Sequence, residues 1–173
     1  KSLPLSFRPE QVRAIICIEM FDRAYDEMVC ELGIPVLFVD GPAKQDGFSL
    51  PADQLYMDNS TEIMRFVNDM LSQGKKRIGF IGNYHHCQSF FERYAAFRCA
   101  MLMAGAEVDE DCCVCYNHQD EIAERLDAIR VLPDVFICAN DFVAVEAIQA
   151  LRKLGKSIPE DVMVCGFDDA PVS

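Results

Sequence analysis

The alternation of short apolar segments with longer amphipathic ones most constrains what this chain can fold into. The segments "PVLFVD" (35–40), "RIGFIG" (77–82) and "DVFICAN" (134–140) are apolar, β-branched runs with the length of a buried strand. Segments whose apolar residues recur at helical spacing lie between them. Strands that are apolar on both faces are typical of a parallel sheet covered by helices on both sides. The sequence therefore predicts an α/β fold built on parallel sheets.

Start and stop signals place the predicted elements along the chain. In "NSTEIMRFVNDMLSQG", Asn59 and Glu62 fit a capping box, and in "SFFERYAAFRCAMLMAG", Ser89 and Glu92 fit a second one. A glycine follows the last apolar residue of most predicted helices, as is common at a helix end. The predictions are helices at 22–33, 59–74, 89–105, 120–130 and 142–155, further strands at 12–19, 112–117 and 161–167, and an irregular connector at 41–58.

The connector at 41–58 is longer and more irregular than the other predicted loops. Domain boundaries fall in such stretches, which favours a boundary between two lobes near Asp58 and Asn59. We therefore expect one lobe at residues 1–58 and a second at residues 59–173. A chain of 173 residues, 51% of them hydrophobic, is long enough to bury a sizeable core.

Charge and cysteine content limit the classes of function. A net charge of -12 repels phosphate backbones, so this segment is expected to bind DNA only through a separate basic module. The nine cysteines are odd in number and show no disulfide spacing, which favours a reducing compartment. No apolar run reaches membrane-spanning length, and the first residues lack the pattern of a signal peptide. A cytoplasmic protein without a membrane partner is therefore expected.

Polar or aromatic residues follow the predicted strands at the edge where ligands bind in open parallel sheets. Their donors, acceptors and ring face suit vicinal hydroxyls stacked on an aromatic ring, as in a sugar or a ribose. Arg93 suits a carboxylate ligand equally well. The candidate ligand-binding residues are Asp40, Ser89, Arg93, Tyr116, Asn140 and Asp168.

The same residues have structural interpretations that the sequence leaves open. Asn140 or Asp141 can cap helix 142–155, and Asp168 or Asp169 can cap whatever follows. Taken singly, each of these residues is at least as compatible with capping as with ligand contact. The agreement of five strand ends favours a binding site, although loops are polar in general.

Metal and catalytic sites find little support in the sequence. His85, His86 and Cys87 can be combined with the cysteines at 112–115 and with His118 into a zinc site, but the usual ligand spacings are missing. The adjacent carboxylates at 168–169 point apart, which disfavours a magnesium site or an acid–base pair. No phosphate-binding glycine fingerprint occurs. We therefore predict no cofactor, no metal and no enzymatic activity.

Three segments carry a resemblance to a known family: "QGKKRIGFIG", "SFFERYAAFRCAMLMAG" and "PDVFICANDFVAVEAIQALRKLGKSIPEDVMVCGFDDAPVS". The ending "IPEDVMVCGFDDAP" and the "AND" that follows a buried strand are the most specific parts. From about Val12 to its end, the chain resembles the effector-binding core of the lactose/galactose-repressor (LacI/GalR) family of bacterial transcription regulators.

The resemblance implies a fold like that of the periplasmic sugar-binding proteins, with two α/β lobes around a hinged cleft. The family's effector contacts match Arg93, Asn140 of "AND" and Asp168, the first aspartate of "GFDD". Tyr116 falls where an aromatic side chain often stacks on the ligand. Asp40 is expected to contribute from the other lobe.

By the same resemblance, the function is to sense a small effector between the lobes and thereby to control binding to operator DNA. The family's helix-turn-helix, its hinge helix and part of each lobe have no counterpart in the sequence, which is expected to be an internal fragment. "RYAAF" replaces a commoner glycine-containing form, and Lys75 stands where a histidine is usual. A homodimer is expected, because a palindromic operator is read by a two-fold symmetric protein.

Two other classes of function stay open at this stage. A solute-binding protein of a transporter has the same fold, but it should carry a signal peptide and few free thiols. An α/β enzyme is the third interpretation, although no catalytic constellation supports it. The identity of the effector cannot be read from the sequence.

Overall fold

The protein is described here by a computed structural model that covers residues 2–44, 46–118 and 121–171. Strands and helices alternate along these ranges, with short 3₁₀ turns at Pro9–Gln11 and Glu110–Cys112. The strands are β1 (Ile15–Ile18), β2 (Val36–Val39), β3 (Asp53–Leu55), β4 (Ile78–Ile81), β5 (Cys113–Val114), β6 (Val135–Cys138) and β7 (Met163–Cys165), and the helices are α1 (Arg23–Cys30), α2 (Thr61–Ser72), α3 (Gln88–Met103), α4 (Glu121–Asp127) and α5 (Asp141–Lys153).

The strands form two separate sheets, and every strand pair is parallel. The first sheet has the order β1-β2-β3 and the second the order β5-β4-β6-β7. Parallel pairing places the carboxyl ends of all strands of one sheet at the same edge. The predicted α/β fold with parallel sheets is therefore confirmed.

Helices cover the second sheet on both faces. All residues of β4 and β6 are buried, as expected for central strands between two helical layers. On one face α2 and α3 contribute Ile63, Val67, Phe97 and Met101, whereas on the other face α4 and α5 contribute Ile122, Leu126, Ala147 and Leu151. This packing fixes the strand ends that border the cleft described below.

The first sheet is smaller and packs around Phe38, which is fully buried beside Val29 of α1. The other face of its edge strand β1 presents Ile16 and Ile18, which are 64% and 65% exposed. No helix in the described ranges is long and apolar enough to cross a membrane.

Both capping boxes predicted from the sequence are wrong. Helix α2 begins at Thr61, and the side chain of Asp58, not that of Asn59, accepts hydrogen bonds from the first backbone N–H groups. Helix α3 begins at Gln88, so Ser89 lies inside its first turn. In each case the residue predicted as the cap is drawn into a tertiary hydrogen bond at the cleft instead.

Candidate functional site

A cleft of about 740 Å³ lies between the two sheets, at the carboxyl ends of their strands. Its volume is in the range of pockets that hold small molecules. The first sheet and its loops contribute Glu19 and Asp40, and the second contributes Asn140 and Asp168. Five of the six candidate residues predicted from the sequence line this cleft, namely Asp40, Ser89, Arg93, Asn140 and Asp168.

Arg93 is the central polar residue of the cleft. It projects from α3 and is only 3% exposed. Its Nη2 lies 3.0 Å from Oδ1 of Asp168, its Nη1 donates to the carbonyl of Ala139 at 2.6 Å, and its Nε donates to Oδ1 of Asn59 at 3.0 Å. The guanidinium also lies 3.8 Å from the ring centre of Phe167. Residues that are 75 positions apart in sequence therefore meet at one point.

Burial makes the charged form of both partners of this ion pair less favourable. Burial lowers the pKa of Arg93, and burial also raises the pKa of Asp168, in spite of the favourable pull that each exerts on the other. The carboxylate is the more accessible partner, because its side chain is 37% exposed whereas that of Arg93 is 3% exposed. Asp168 is therefore the member of the pair that a ligand can reach.

The turn that carries Asp168 is held by α5. The backbone N–H of Asp141 donates to the carbonyl of Phe167 at 2.9 Å, and Oδ2 of Asp141 accepts from the N–H of Ala170 at 2.7 Å. Gly166 leaves the space that the Asp141 carboxylate occupies, since a Cβ at this position would overlap with it. Asp141 thus fixes the backbone on both sides of Asp168.

Asp40 links the first sheet to α3. Its Oδ2 accepts a hydrogen bond of 2.5 Å from the hydroxyl of Ser89, and its Oδ1 accepts one of 2.8 Å from the N–H of Gly41. The N–H of Gln88 donates to the carbonyl of Gly41 at 3.0 Å. The first turn of α3 is therefore bonded directly to the strand end of the other sheet.

Several strand ends at the cleft have a left-handed backbone without glycine. The φ angles of Glu19, Asp40 and Asp168 are 52°, 56° and 103°. Such conformations cost about 1–3 kcal/mol each and persist only where the surroundings impose them. These three residues follow β1, β2 and β7, so the strained backbone lies at the edge of the cleft.

Asn140 caps a helix, which is one of the two roles that the sequence left open, and it also lies at the cleft. Its Oδ1 accepts a hydrogen bond of 2.9 Å from the N–H of Val143 and so caps α5, while the residue also lines the cleft. Asn59, which the sequence predicted as a helix cap, is 2% exposed and positions Arg93. Its Oδ1 accepts a hydrogen bond from Nε of Arg93, and its Nδ2 donates one to the carboxylate of Glu92.

The structure does not bring Tyr116 into the cleft. Strand β5 ends at Val114, and the ring of Tyr116 packs into the core beside α4 and α5, where it is 7% exposed. Burial raises the pKa of its hydroxyl strongly. The aromatic wall of the cleft is instead formed by Phe21, Tyr56, His86, Phe90 and Phe142.

The sequence did not identify these aromatic residues as lining the cleft, because most of them do not directly follow a predicted strand. Phe21 lies just beyond β1, and Phe142 stands in the first turn of α5, so both follow a strand as the polar candidates do. The rings of Phe21 and His86 meet edge to face at 4.7 Å between their centres. Partial desolvation at the cleft lowers the pKa of His86, whose residue surface stays exposed, whereas Asp40 acts in the opposite direction.

A zinc site finds no support among the residues that the structure describes. They contain no group of three or more histidine, cysteine or carboxylate side chains arranged to hold a metal ion. All nine cysteines lie in the described ranges and are free thiols there. Cys112 and Cys138 are fully buried and pack as small apolar side chains.

Comparison with known proteins gives a consistent match. The family model of the periplasmic binding protein-like domain matches residues 67–173. The transcriptional regulator CelR of Thermobifida fusca is 28% identical over 160 residues, which are 88% of this chain and 45% of that protein. The transcriptional repressor PurR of Mannheimia succiniciproducens is 27% identical over 161 residues, which are 90% of this chain and 46% of that protein. The chain thus spans about half the length of the curated relatives it matches.

Solved structures agree with the sequence relatives. The complex of CelR with cellobiose superposes with a TM-score of 0.77 at 25% identity, covering 94% of this chain and 51% of that one. The regulator CcpA of Lactococcus lactis superposes with a TM-score of 0.74 at 23% identity, covering 94% of this chain and 60% of that one. The second likeness shows the fold alone.

Proposed function

Since the chain belongs to the periplasmic binding protein-like domain family and is an effector-binding core of the LacI/GalR type, we propose that it senses a small molecule in the cleft between its two sheets. The family predicted from the sequence is confirmed by these relatives, which are transcriptional regulators and not enzymes. The proposed effector is a sugar or a related metabolite.

The observation that carries this proposal is the Arg93–Asp168 pair at the floor of the cleft. A charged pair with a buried guanidinium is costly to form, and its accessible carboxylate faces the space between the sheets. Asn140 and Asp40 add further acceptors and donors around the same space. Such a set can hydrogen-bond vicinal hydroxyls, while the aromatic wall covers an apolar ring face.

The proposed mechanism is a change in the balance between open and closed arrangements of two lobes, residues 1–58 and residues 59–173. A ligand shifts this balance only by the difference between its affinities for the two arrangements. A ligand that contacts both Asp40 and Asp168 bridges the two sheets, so it binds the closed arrangement more tightly. The bond between Asp40 and Ser89 already joins the two sides, and we propose that it strengthens closure.

For the whole protein we propose a cytoplasmic homodimer whose lobes position helix-turn-helix headpieces on operator DNA. Closure of the lobes would then alter the spacing of the two headpieces and hence the affinity for the operator. The net charge of -12 is consistent with DNA being contacted by another segment of the protein.

Replacing Asp168 with asparagine tests the site with little change in shape. We expect the full-length protein to bind at least one ligand from a thermal-shift screen of sugars, nucleobases and small acids. Titration calorimetry should then show a loss of affinity of at least about tenfold in Asp168→Asn, because hydrogen bonds to a charged group contribute about 1.5–3 kcal/mol. Asp69→Asn makes the same charge change on the exposed surface of α2 and should bind normally. Equal affinity in both variants would show that the ligand binds elsewhere.

The raised pKa of Asp168 gives the proposed site a pH dependence. Protonation turns one carboxylate oxygen into an O–H donor and removes the charge that faces Arg93, so ligand affinity should fall as the pH is lowered. The fall should begin at a higher pH than the value of about 4 that is usual for an aspartate, because burial favours the protonated form. Calorimetric titrations from pH 7 downwards measure this, and Asp168→Asn should lack the dependence. An affinity that stays constant down to about pH 4 would contradict the assignment.

A further inference from the structure

We infer that the cleft selects an uncharged, hydroxyl-rich ligand with one apolar face and discriminates against phosphorylated or carboxylated forms of the same molecule. This inference rests on the proposed function and narrows it from small molecules in general to one chemical class. The sequence alone had left a carboxylate ligand on Arg93 as an equal alternative. The charges around the cleft decide between the two.

The cleft lining carries more negative than positive charge. Glu19, Asp40 and Asp168 contribute three carboxylates, whereas Arg93 contributes the one guanidinium among the lining residues that the structure describes. An anionic ligand would therefore enter a space that already holds a net negative charge, and like charges in a confined site repel each other strongly.

The guanidinium of Arg93 is largely occupied by groups of the protein itself, because four of its five N–H groups have partners and one N–H of Nη1 is left for a ligand. Each of its three nitrogens already has a partner: Nε bonds Asn59, Nη1 bonds the Ala139 carbonyl, and Nη2 bonds Asp168 and contacts the sulfur of Met57. A ligand carboxylate or phosphate that took the place of Asp168 would leave that carboxylate without its counterion. Arg93 therefore holds Asp168 in place as an acceptor for hydroxyl groups.

Two side chains of the cleft wall disfavour their own anionic forms, mainly because they are buried and in part because carboxylates lie nearby. The pKa of the Tyr56 hydroxyl is raised to about 12 by burial, with further contributions from Asp40 and Glu92. The pKa of the Cys87 thiol is also raised to about 12, mainly by burial and in part by Asp40. The ammonium of Lys44 lies 4.7 Å from the ring centre of Tyr56, but it is not among the lining groups. A phenolate at Tyr56 or a thiolate at Cys87 is therefore unfavourable.

The apolar part of the lining defines the other half of the ligand. Phe21 and Phe90 both pack on His86, with ring centres 4.7 Å and 5.7 Å from it, and Tyr56 and Phe142 also line the cleft. Phe142 is 59% exposed in this arrangement and gains burial when a ligand is bound against it. A pyranose or furanose ring offers hydroxyl groups at its edge and C–H groups on its face, which matches a lining that holds both carboxylates and aromatic rings.

Matched pairs of probes test the inference on the full-length protein. The pairs are cellobiose with cellobiose 6′-phosphate, glucose with glucose 6-phosphate, and ribose with ribose 5-phosphate, and inorganic phosphate is tested alone. We expect at least one unmodified sugar to bind, its phosphate to bind at least about tenfold more weakly, and inorganic phosphate to leave the melting temperature unchanged. The difference within a pair should shrink at high ionic strength, since salt screens the repulsion.

Two variants identify the source of the discrimination. Asp40→Asn removes one lining carboxylate and should narrow the ratio between a sugar and its phosphate. Asp69→Asn removes a distant surface charge and should leave the ratio unchanged. A phosphate ester that binds as tightly as its parent sugar, and loses affinity in Asp168→Asn, would overturn the inference while the proposed function stands. If no unmodified sugar binds and Asp168→Asn alters the binding of none of the other probes, the proposed sugar site falls together with the inference.

Discussion

Replacing Arg93 with alanine is expected to abolish ligand binding and to lower the free energy of unfolding by about 3–5 kcal/mol. The guanidinium is 3% exposed and contacts four groups: Asp168, Asn59, the Ala139 carbonyl and the Phe167 ring. Its removal leaves a carboxylate, an amide oxygen and a backbone carbonyl without a donor. Urea denaturation and titration calorimetry of the full-length protein measure the two effects.

Two further substitutions separate this role from a general effect of losing positive charge. Arg65→Ala removes a guanidinium from the exposed surface of α2, where its pair with Glu62 contributes no more than about 1 kcal/mol. Arg93→Lys keeps the charge, but a lysine ammonium lacks the planar fork and should restore neither binding nor full stability. A stable Arg93→Ala protein that still binds its ligand would refute the geometry on which the proposed site rests.

The sequence predicted the sheets and most of the strand ends because both depend on local patterns. Strands β4 and β6 are buried on both faces, so they appear in the sequence as unbroken apolar runs. The carboxyl ends of parallel strands in one sheet meet at one edge, and this rule placed Asn140 and Asp168 together. No side-chain distance was needed for that step. That Asp40 faces them from the other sheet was implied only by the family resemblance.

The rest depends on contacts between residues that are far apart in sequence. Asn59 has the sequence context of a helix cap, and only the packing of α2 against α3 shows that it bonds Arg93, 34 residues away. Tyr116 has the position of a strand-end residue, but β5 ends two residues earlier and its ring turns into the core. The aromatic wall at Phe21 and His86 likewise comes from different parts of the chain.

Replacing Gly166 with alanine is the other substitution for which we expect a large effect, with a loss of about 1–3 kcal/mol in the free energy of unfolding. A Cβ at this position would overlap with the carboxylate of Asp141 and would lie 3.2 Å from its Cα. The carboxylate cannot move aside cheaply, because Asp141 is 6% exposed and its Oδ2 holds the N–H of Ala170. The turn that carries Asp168 should therefore shift, and ligand affinity should fall by at least about tenfold, which corresponds to 1.4 kcal/mol.

Gly41→Ala is the matched control for this change, because a Cβ there would meet only the Tyr56 hydroxyl, at an ordinary contact distance of 3.5 Å. It should leave the urea midpoint nearly unchanged. A double-mutant cycle gives the sharper test. Asp141→Ala removes the carboxylate with which a Cβ at position 166 would overlap. Gly166→Ala should therefore lower the free energy of unfolding less in the Asp141→Ala protein than in the wild type. Strictly additive losses would mean that the two residues act independently, and that Gly166 is needed for a reason other than the space it leaves for Asp141.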